Sequence, residues 1–168
     1  LFLTPLANAD DAVYQKPPPE VEAVLEAKLP PVPYPSPAHD AIVFAQPVRY
    51  PAVAILAEPM LRLGGLRINT LTNGMSDYPI YSNELSLKTL PDGAVRKIKT
   101  PPDARIGHPM WNATGTAFMF ANETRKGTEL WVVDTKTLKA HKIPGVKLNT
   151  LFGYWGFWMP DHRTVLTR

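Results

Sequence analysis

Cysteine does not occur in the 168 residues. Its absence removes disulfides, thiolate metal sites and a cysteine nucleophile in one step. No apolar run approaches the roughly 20 residues needed to cross a bilayer, so no membrane span is expected. There is also no run of Lys or Arg. The net charge of +3 comes from scattered cations, and no nucleic-acid surface is expected. The four histidines, His39, His108, His141 and His162, each stand without a second ligand at metal spacing. They read as turn or surface residues, and neither a metal nor a cofactor is expected.

Proline is abundant instead. The chain has 19, about twice the usual share, concentrated in its N-terminal third. The opening "LFLTPLANA" is a short apolar stretch leading to Ala7-Asn8-Ala9 and then Asp10-Asp11. Small residues at alternate positions suit signal peptidase, so residues 1–9 read as a signal-peptide remnant. The mature chain then starts near Asp10 and is exported, to the periplasm or outside the cell. Residues 10–37 read as a proline-rich arm. Between its proline clusters Glu20 to Lys28 has a helical pattern, with Val21, Val24 and Leu25 on one face. Such a helix is expected to pack on something else.

From residue 38 the pattern is that of short strands. "HDAIVFAQ" is one, and residues 47–80 are an insertion broken by Pro51, Pro59, Gly64-Gly65 and Asn73-Gly74. Within it "LRLGGLRIN" predicts a tight hairpin. Further strands follow as "NELSLKTL", "AVRKIK", "TAFMFANE", "TELWVVDT" and "KAHKIP", separated by turns such as Pro91-Asp92-Gly93. The chain then repeats itself. Trp111-Asn112-Ala113-Thr114-Gly115 and Trp158-Met159-Pro160-Asp161-His162 each precede a strand, 47 residues apart. Leu85 and Leu130 mark a second correspondence at 45. Pro35 to Asp40 has the same grammar one unit earlier. A period of 40–50 residues with four short strands per unit is the mark of a β-propeller. The fold expected is all-β: a short N-terminal helix, then an incomplete propeller over 38–168 of about two and a half blades. The tryptophans read as core residues between blades.

Three stretches, "YQKPPPEVEAVLEA", "AEPMLRLGGLRINTLTNG" and the Trp111 unit, resemble the N-terminal region of the prolyl oligopeptidase family, in its glutamyl endopeptidase branch. The resemblance covers residues 13 to 168. It implies a seven-bladed propeller capping an α/β-hydrolase domain with a Ser-Asp-His triad, its serine in a G-x-S-x-G elbow. The four serines here, Ser36, Ser76, Ser82 and Ser86, lack that context. No catalytic residue is therefore assigned to this chain, and the hydrolase domain is not among its residues. The function implied is substrate gating and domain packing in an exported serine peptidase, with a peptide substrate and the hydrolase domain as partners. A plastid is the alternative setting for this branch. A non-catalytic periplasmic TolB-like binding propeller remains a second reading, and exposed aromatics alone suggest a carbohydrate-binding propeller.

Arg62 and Arg67 are the candidate substrate-binding residues. Cleavage after glutamate requires a cation for the substrate carboxylate, and arginine pairs with it bidentately. A solvated hairpin, or a salt bridge to the hydrolase domain, would use the same residues. Asn112-Ala113-Thr114 and Asn122-Glu123-Thr124 match the glycosylation pattern by chance. Tyr154 to Trp158, "YWGFW", reads as blade core rather than a channel lining.

Overall fold

The computed structural model describes residues 15–76 and 81–168. The signal-peptide remnant lies outside them, as do the last four residues of the 47–80 insertion. Strands dominate, in several antiparallel sheets of which none closes, and the all-β, propeller-like expectation is borne out.

The N-terminal helix α1 spans Pro19–Glu26, with Pro18 at its N-cap and a proline in its first turn, where the missing N–H costs nothing. It has no basic residue in its last turn. Arg49 supplies one from downstream, donating from Nη1 to the Val24 and Ala27 carbonyls at 3.0 Å each. The apolar stripe of Val21, Val24 and Leu25 is exposed against the rest of the described chain, by about half to two-thirds.

Sheet one has the order β1 (Val32–Pro35), β2 (Ala41–Pro47), β6 (Ser82–Thr89), β7 (Val95–Ile98). Between neighbours β2 and β6 the chain leaves the sheet. It forms a one-turn helix α2 (Val53–Leu56) and a small three-stranded sheet of β3 (Met60–Leu63), β4 (Leu66–Asn69) and β5 (Gly74–Met75). Sheet two runs β8 (Met110–Trp111), β9 (Ala117–Thr124), β10 (Gly127–Asp134), β11 (Ala140–Lys142). Here Arg125-Lys126 alone joins β9 to β10. A third unit begins with the pair β12 (Gly156–Trp158) and β13 (Val165–Thr167).

The three units share one turn. Ser36, Asn112 and Met159 each donate their N–H five residues forward, to Ala41, Ala117 and Thr164, at 2.8 to 2.9 Å. The fourth turn residue has positive φ each time: His39 at 59°, Gly115 at 69°, His162 at 59°. Two histidines and the Asp161–His162 pair are thus turn residues. Asp161 is held at about 2 by hydrogen bonds from the Thr164 side chain, then the Thr164 and Arg163 amides. The repeat extends to blade contacts. Trp111 Nε1 donates to Tyr34 O at 3.0 Å, and Trp158 Nε1 donates to Met110 O at 2.9 Å. Leu85 opposes Ala45, and Leu130 opposes Ala121, in matching register.

Two hydrophobic layers result. Ala41, Val43, Ala45, Leu85 and Leu87 of sheet one meet Phe118, Phe120 and Val133 of sheet two. Met119, Ala121 and Leu130, on the other face of sheet two, meet Leu148, Trp155, Trp158 and Val165. The aromatic stretch divides accordingly: Trp155 and Gly156 are buried, whereas Tyr154 and Phe157 are exposed.

Candidate functional site

The link between the second and third strands of a blade, β2 to β6 or β9 to β10, lies at the end of the sheet where the chain also crosses to the next blade. In this protein that end carries the α2–β5 excursion, the connector 99–109 and the β9–β10 turn. Hydrogen bonds tie them together. Ser82 and Ile106 exchange backbone bonds of 2.9 and 2.8 Å, Thr128 Oγ1 donates to Thr72 O at 3.0 Å, and Thr150 N donates to Asn73 O at 3.0 Å. Between these segments lies an open cleft of about 1200 Å³. Tyr50, Ile55 and Glu58 form one wall, Lys97 to Arg105 another, and Glu123 to Arg125 the third. A smaller cavity of about 190 Å³ shares Ile55, Glu58, Arg105 and Glu123 with it, and adds Arg67, Asn69 and Ser76.

At the boundary of the two cavities sits an ionic cluster. Arg105 Nη1 is 3.3 Å from Glu58 Oε1 and 3.6 Å from Glu123 Oε1. Arg105 and Glu58 are about nine-tenths buried, while Glu123 keeps a third of its side chain exposed. Asn69 Nδ2 donates to the second Glu58 oxygen at 2.6 Å. Asn122 Oδ1 accepts from Arg105 N at 3.1 Å and so fixes the backbone beneath the guanidinium. Burial pushes the Glu123 carboxyl above the ordinary range. Arg105 opposes that rise and the Glu58 charge reinforces it. The Thr72 hydroxyl lies beside Glu123, buried and without a hydrogen bond of good geometry among the described residues.

The sequence candidates Arg62 and Arg67 face each other directly in the β3–β4 register, beside the Gly64-Gly65 turn. Both glycines have positive φ, 55° and 88°, which the tight two-residue turn requires. Like charges at opposed positions disfavour the hairpin, so a negatively charged neighbour is favourable there. Both are exposed, and Arg67 reaches the smaller cavity. Arg62 lines neither cavity. The arginines are therefore neighbours in the hairpin, but only one joins the ionic cluster's surroundings.

Sequence reasoning missed Glu58, Arg105 and Glu123 as a set. They lie 47 and 18 residues apart, on three segments that only the fold brings together. The available signal was "DAR" before the second-blade grammar: an arginine flanked by alanine and isoleucine in the connector. Asn112 and Asn122 are 1% and 2% exposed, with their amides engaged in hydrogen bonds, so neither accepts a glycan in the folded chain. Among the described residues no group of three or more His, Cys, Asp or Glu is placed to hold a metal.

No protein-family model matches the chain. Two curated proteins do. One, described as "probable glutamyl endopeptidase, chloroplastic" from Oryza sativa subsp. japonica, is 29% identical over 152 residues, covering 83% of this chain and 16% of the rice protein. Its counterpart from Arabidopsis thaliana is 30% identical over 167 residues, covering 91% of this chain and 17% of the relative. The chain thus spans about one-sixth of the length of the curated relatives it matches. Among solved structures, an acylaminoacyl peptidase from Pyrococcus horikoshii aligns with 76% of this chain and 16% of its own, at 20% identity and a TM-score of 0.43. The resemblance to the glutamyl endopeptidase branch of the prolyl oligopeptidase family is borne out by the two curated relatives.

Proposed function

We propose that this chain is the N-terminal, propeller-forming portion of a serine peptidase that hydrolyses peptide bonds, with glutamate on the acyl side. In that reading it gates access and anchors substrate, while a separate α/β-hydrolase domain performs acyl transfer through a serine. The observation that carries the reading is the alignment of 83% and 91% of the chain with two proteins described as probable glutamyl endopeptidases. The cleft beside the blade junctions supports it, being large enough for a short extended peptide. Arg62 and Arg67 serve as the anchoring cations for an acidic side chain, because their opposed positions in the hairpin favour an anion between or beside them. The seven-bladed count, the hydrolase partner and the boundaries at residues 9, 37 and 38 belong to the same proposal. Its setting is an exported or plastid compartment: the opening residues favour the first, and the chloroplastic relatives the second.

The test is an assay of the protein as its cell produces it, on chromogenic peptides ending in glutamate or glutamine, with and without a serine-directed inhibitor. Inhibitor-sensitive cleavage that prefers glutamate is expected. Arg62→Ala with Arg67→Ala should raise KM for the glutamate peptide about tenfold or more, with little change for the glutamine peptide. No cleavage of either peptide would overturn the enzymatic reading. Equal KM effects on both would remove the arginines from it.

A further inference from the structure

The Glu58–Arg105–Glu123 cluster joins three segments. Of these, the connector and β9 are also paired through their backbones, Glu123 N donating to Arg105 O and Gly107 N to Ala121 O at 2.9 Å each, so that the α2 limb is the loosely held one. Glu58 follows α2 on the excursion, Arg105 lies in the connector between blades, and Glu123 is near the end of β9. The α2 limb, Tyr50 to Glu58, is one wall of the 1200 Å³ cleft. Its side chains Tyr50, Val53 and Leu56 are mostly exposed rather than packed. Glu58 fastens it to the rest of the described chain, through the ion pair with Arg105 and the hydrogen bond from Asn69 of β4. The rest of the excursion is fastened separately, by Thr72 and Asn73. A limb with so little apolar burial and one ionic fastening sits at the low-stability end of a fold.

One nitrogen, Arg105 Nη1, serves both carboxylates, at distances longer than a good charge-assisted bond. With both glutamates ionised the cluster carries one negative charge in a mostly buried place, which is unfavourable. Two arrangements relieve it. A proton on Glu123 leaves a neutral Glu58–Arg105 pair with the limb in place. Alternatively Glu58 leaves, and Arg105 pairs with ionised Glu123 alone.

We propose that Arg105 is a shared counter-ion whose choice between Glu58 and Glu123 latches or releases the α2 limb over the cleft, with a proton on Glu123 deciding the choice. The other groups around Glu123 fit this arrangement. Glu58 and Arg105 act on its carboxyl, with Thr72 beside it; Asn69 and Arg67 of the excursion line the smaller cavity with it, and Asp103 of the connector and Arg125 of the adjoining turn line the cleft with it. The raised Glu123 pKa agrees in direction: its causes are burial and the Glu58 charge, and departure of the limb weakens both. The sign follows from linkage. The latched form binds the proton more tightly, so latching is complete below the released-form pKa and is lost as pH rises through the latched-form pKa. The inference holds whatever occupies the cleft, and so stands apart from the peptidase reading.

The experiment is amide exchange of Ile55 to Glu58 followed by NMR across roughly pH 4 to 8, corrected for the intrinsic rate. The β9–β10 amides serve as the reference for global opening. In the wild-type chain, protection of the limb should fall with rising pH, about tenfold for each tenfold difference in proton affinity between the two forms. The midpoint should coincide with that of the Glu123 carboxyl, read from its own side-chain resonance. Glu123→Gln should give a flat profile at the acid-side level, and Glu58→Gln a flat profile at the released level. A flat wild-type profile, non-coincident midpoints, or a Glu123→Gln profile that keeps its slope would each overturn the latch. The coincidence test needs no variant, so a substitution that fails to fold leaves it intact.

Discussion

Gly115 shows how one atom can set the spacing of two blades. It holds the positive-φ position of the second shared turn, which His39 and His162 hold in the others. A Cβ at Gly115 would run into the Ser36 hydroxyl and lie 3.1 Å from Ala38 Cβ, both on the preceding turn. Gly145 has φ of 76° and open space around it. Gly145→Ala should therefore cost about 1 kcal/mol, the conformational term alone. Gly115→Ala should cost about 3 kcal/mol, because Ser36 is itself buried and cannot swing away. Urea unfolding of both variants checks the difference, and adding Ser36→Gly should recover part of the larger loss. The sequence pointed to these turns through Pro-Asp-His and Ala-Thr-Gly. It could not show that consecutive turns stack, since nothing local in Gly115 distinguishes a crowded left-handed residue from a free one.

Strand β9 is where hydrophobic pattern and structure are most instructive. Its counterpart in sheet one, β2, alternates buried and half-buried residues, as a strand with one face against a partner does. In β9 five consecutive residues, Phe118 to Asn122, are buried. Phe118 and Phe120 pack toward sheet one, Met119 and Ala121 toward the third unit. A blade with neighbours on both faces reads as a continuous apolar run, and that is why "AFMFAN" is less regular than an exposed sheet would be. The Leu85 and Leu130 markers, and the paired tryptophans, were legible because the same contact is built twice from the same residue types. The start of α1 was legible from its prolines, but the fastening of its end by Arg49 was not, because that arginine lies more than 20 residues away. Each tryptophan contact should be separable. Trp111→Phe and Trp158→Phe should each cost about 1–2 kcal/mol, for the lost indole bond to a carbonyl and the smaller ring. They sit at different blade junctions, so the double variant should equal their sum within about 0.5 kcal/mol. A clear excess in denaturant unfolding would mean the junctions do not act independently.

Taken together, the stacked sheets supply rigidity and the excursion supplies the irregular surface, and Arg105 is where the two are electrically joined. The excursion itself was visible as 47–80 from its Gly and Pro breaks, with residues 77–80 outside the described part. The cluster was not legible as a set, because each of its members is an ordinary surface type in a different segment and the flanking of Arg105 marks that member alone. Its energetic weight can be isolated. Arg105→Ala leaves Glu58 and Glu123 facing each other with their counter-ion gone. The cost should be about 3 kcal/mol near neutral pH, toward the low end for a buried pair because Glu123 is partly exposed. The penalty should shrink on acidification, because each carboxyl that takes up a proton removes the charge left without a partner. Arg105→Met combined with Glu58→Gln and Glu123→Gln should restore most of the stability, since it removes every charge while keeping side-chain volume. If the triple variant were no more stable than Arg105→Ala, packing of the guanidinium stem rather than its charge would hold the junction. The excursion would then be joined to the blades by packing and by the Thr72 and Asn73 hydrogen bonds, without help from charge.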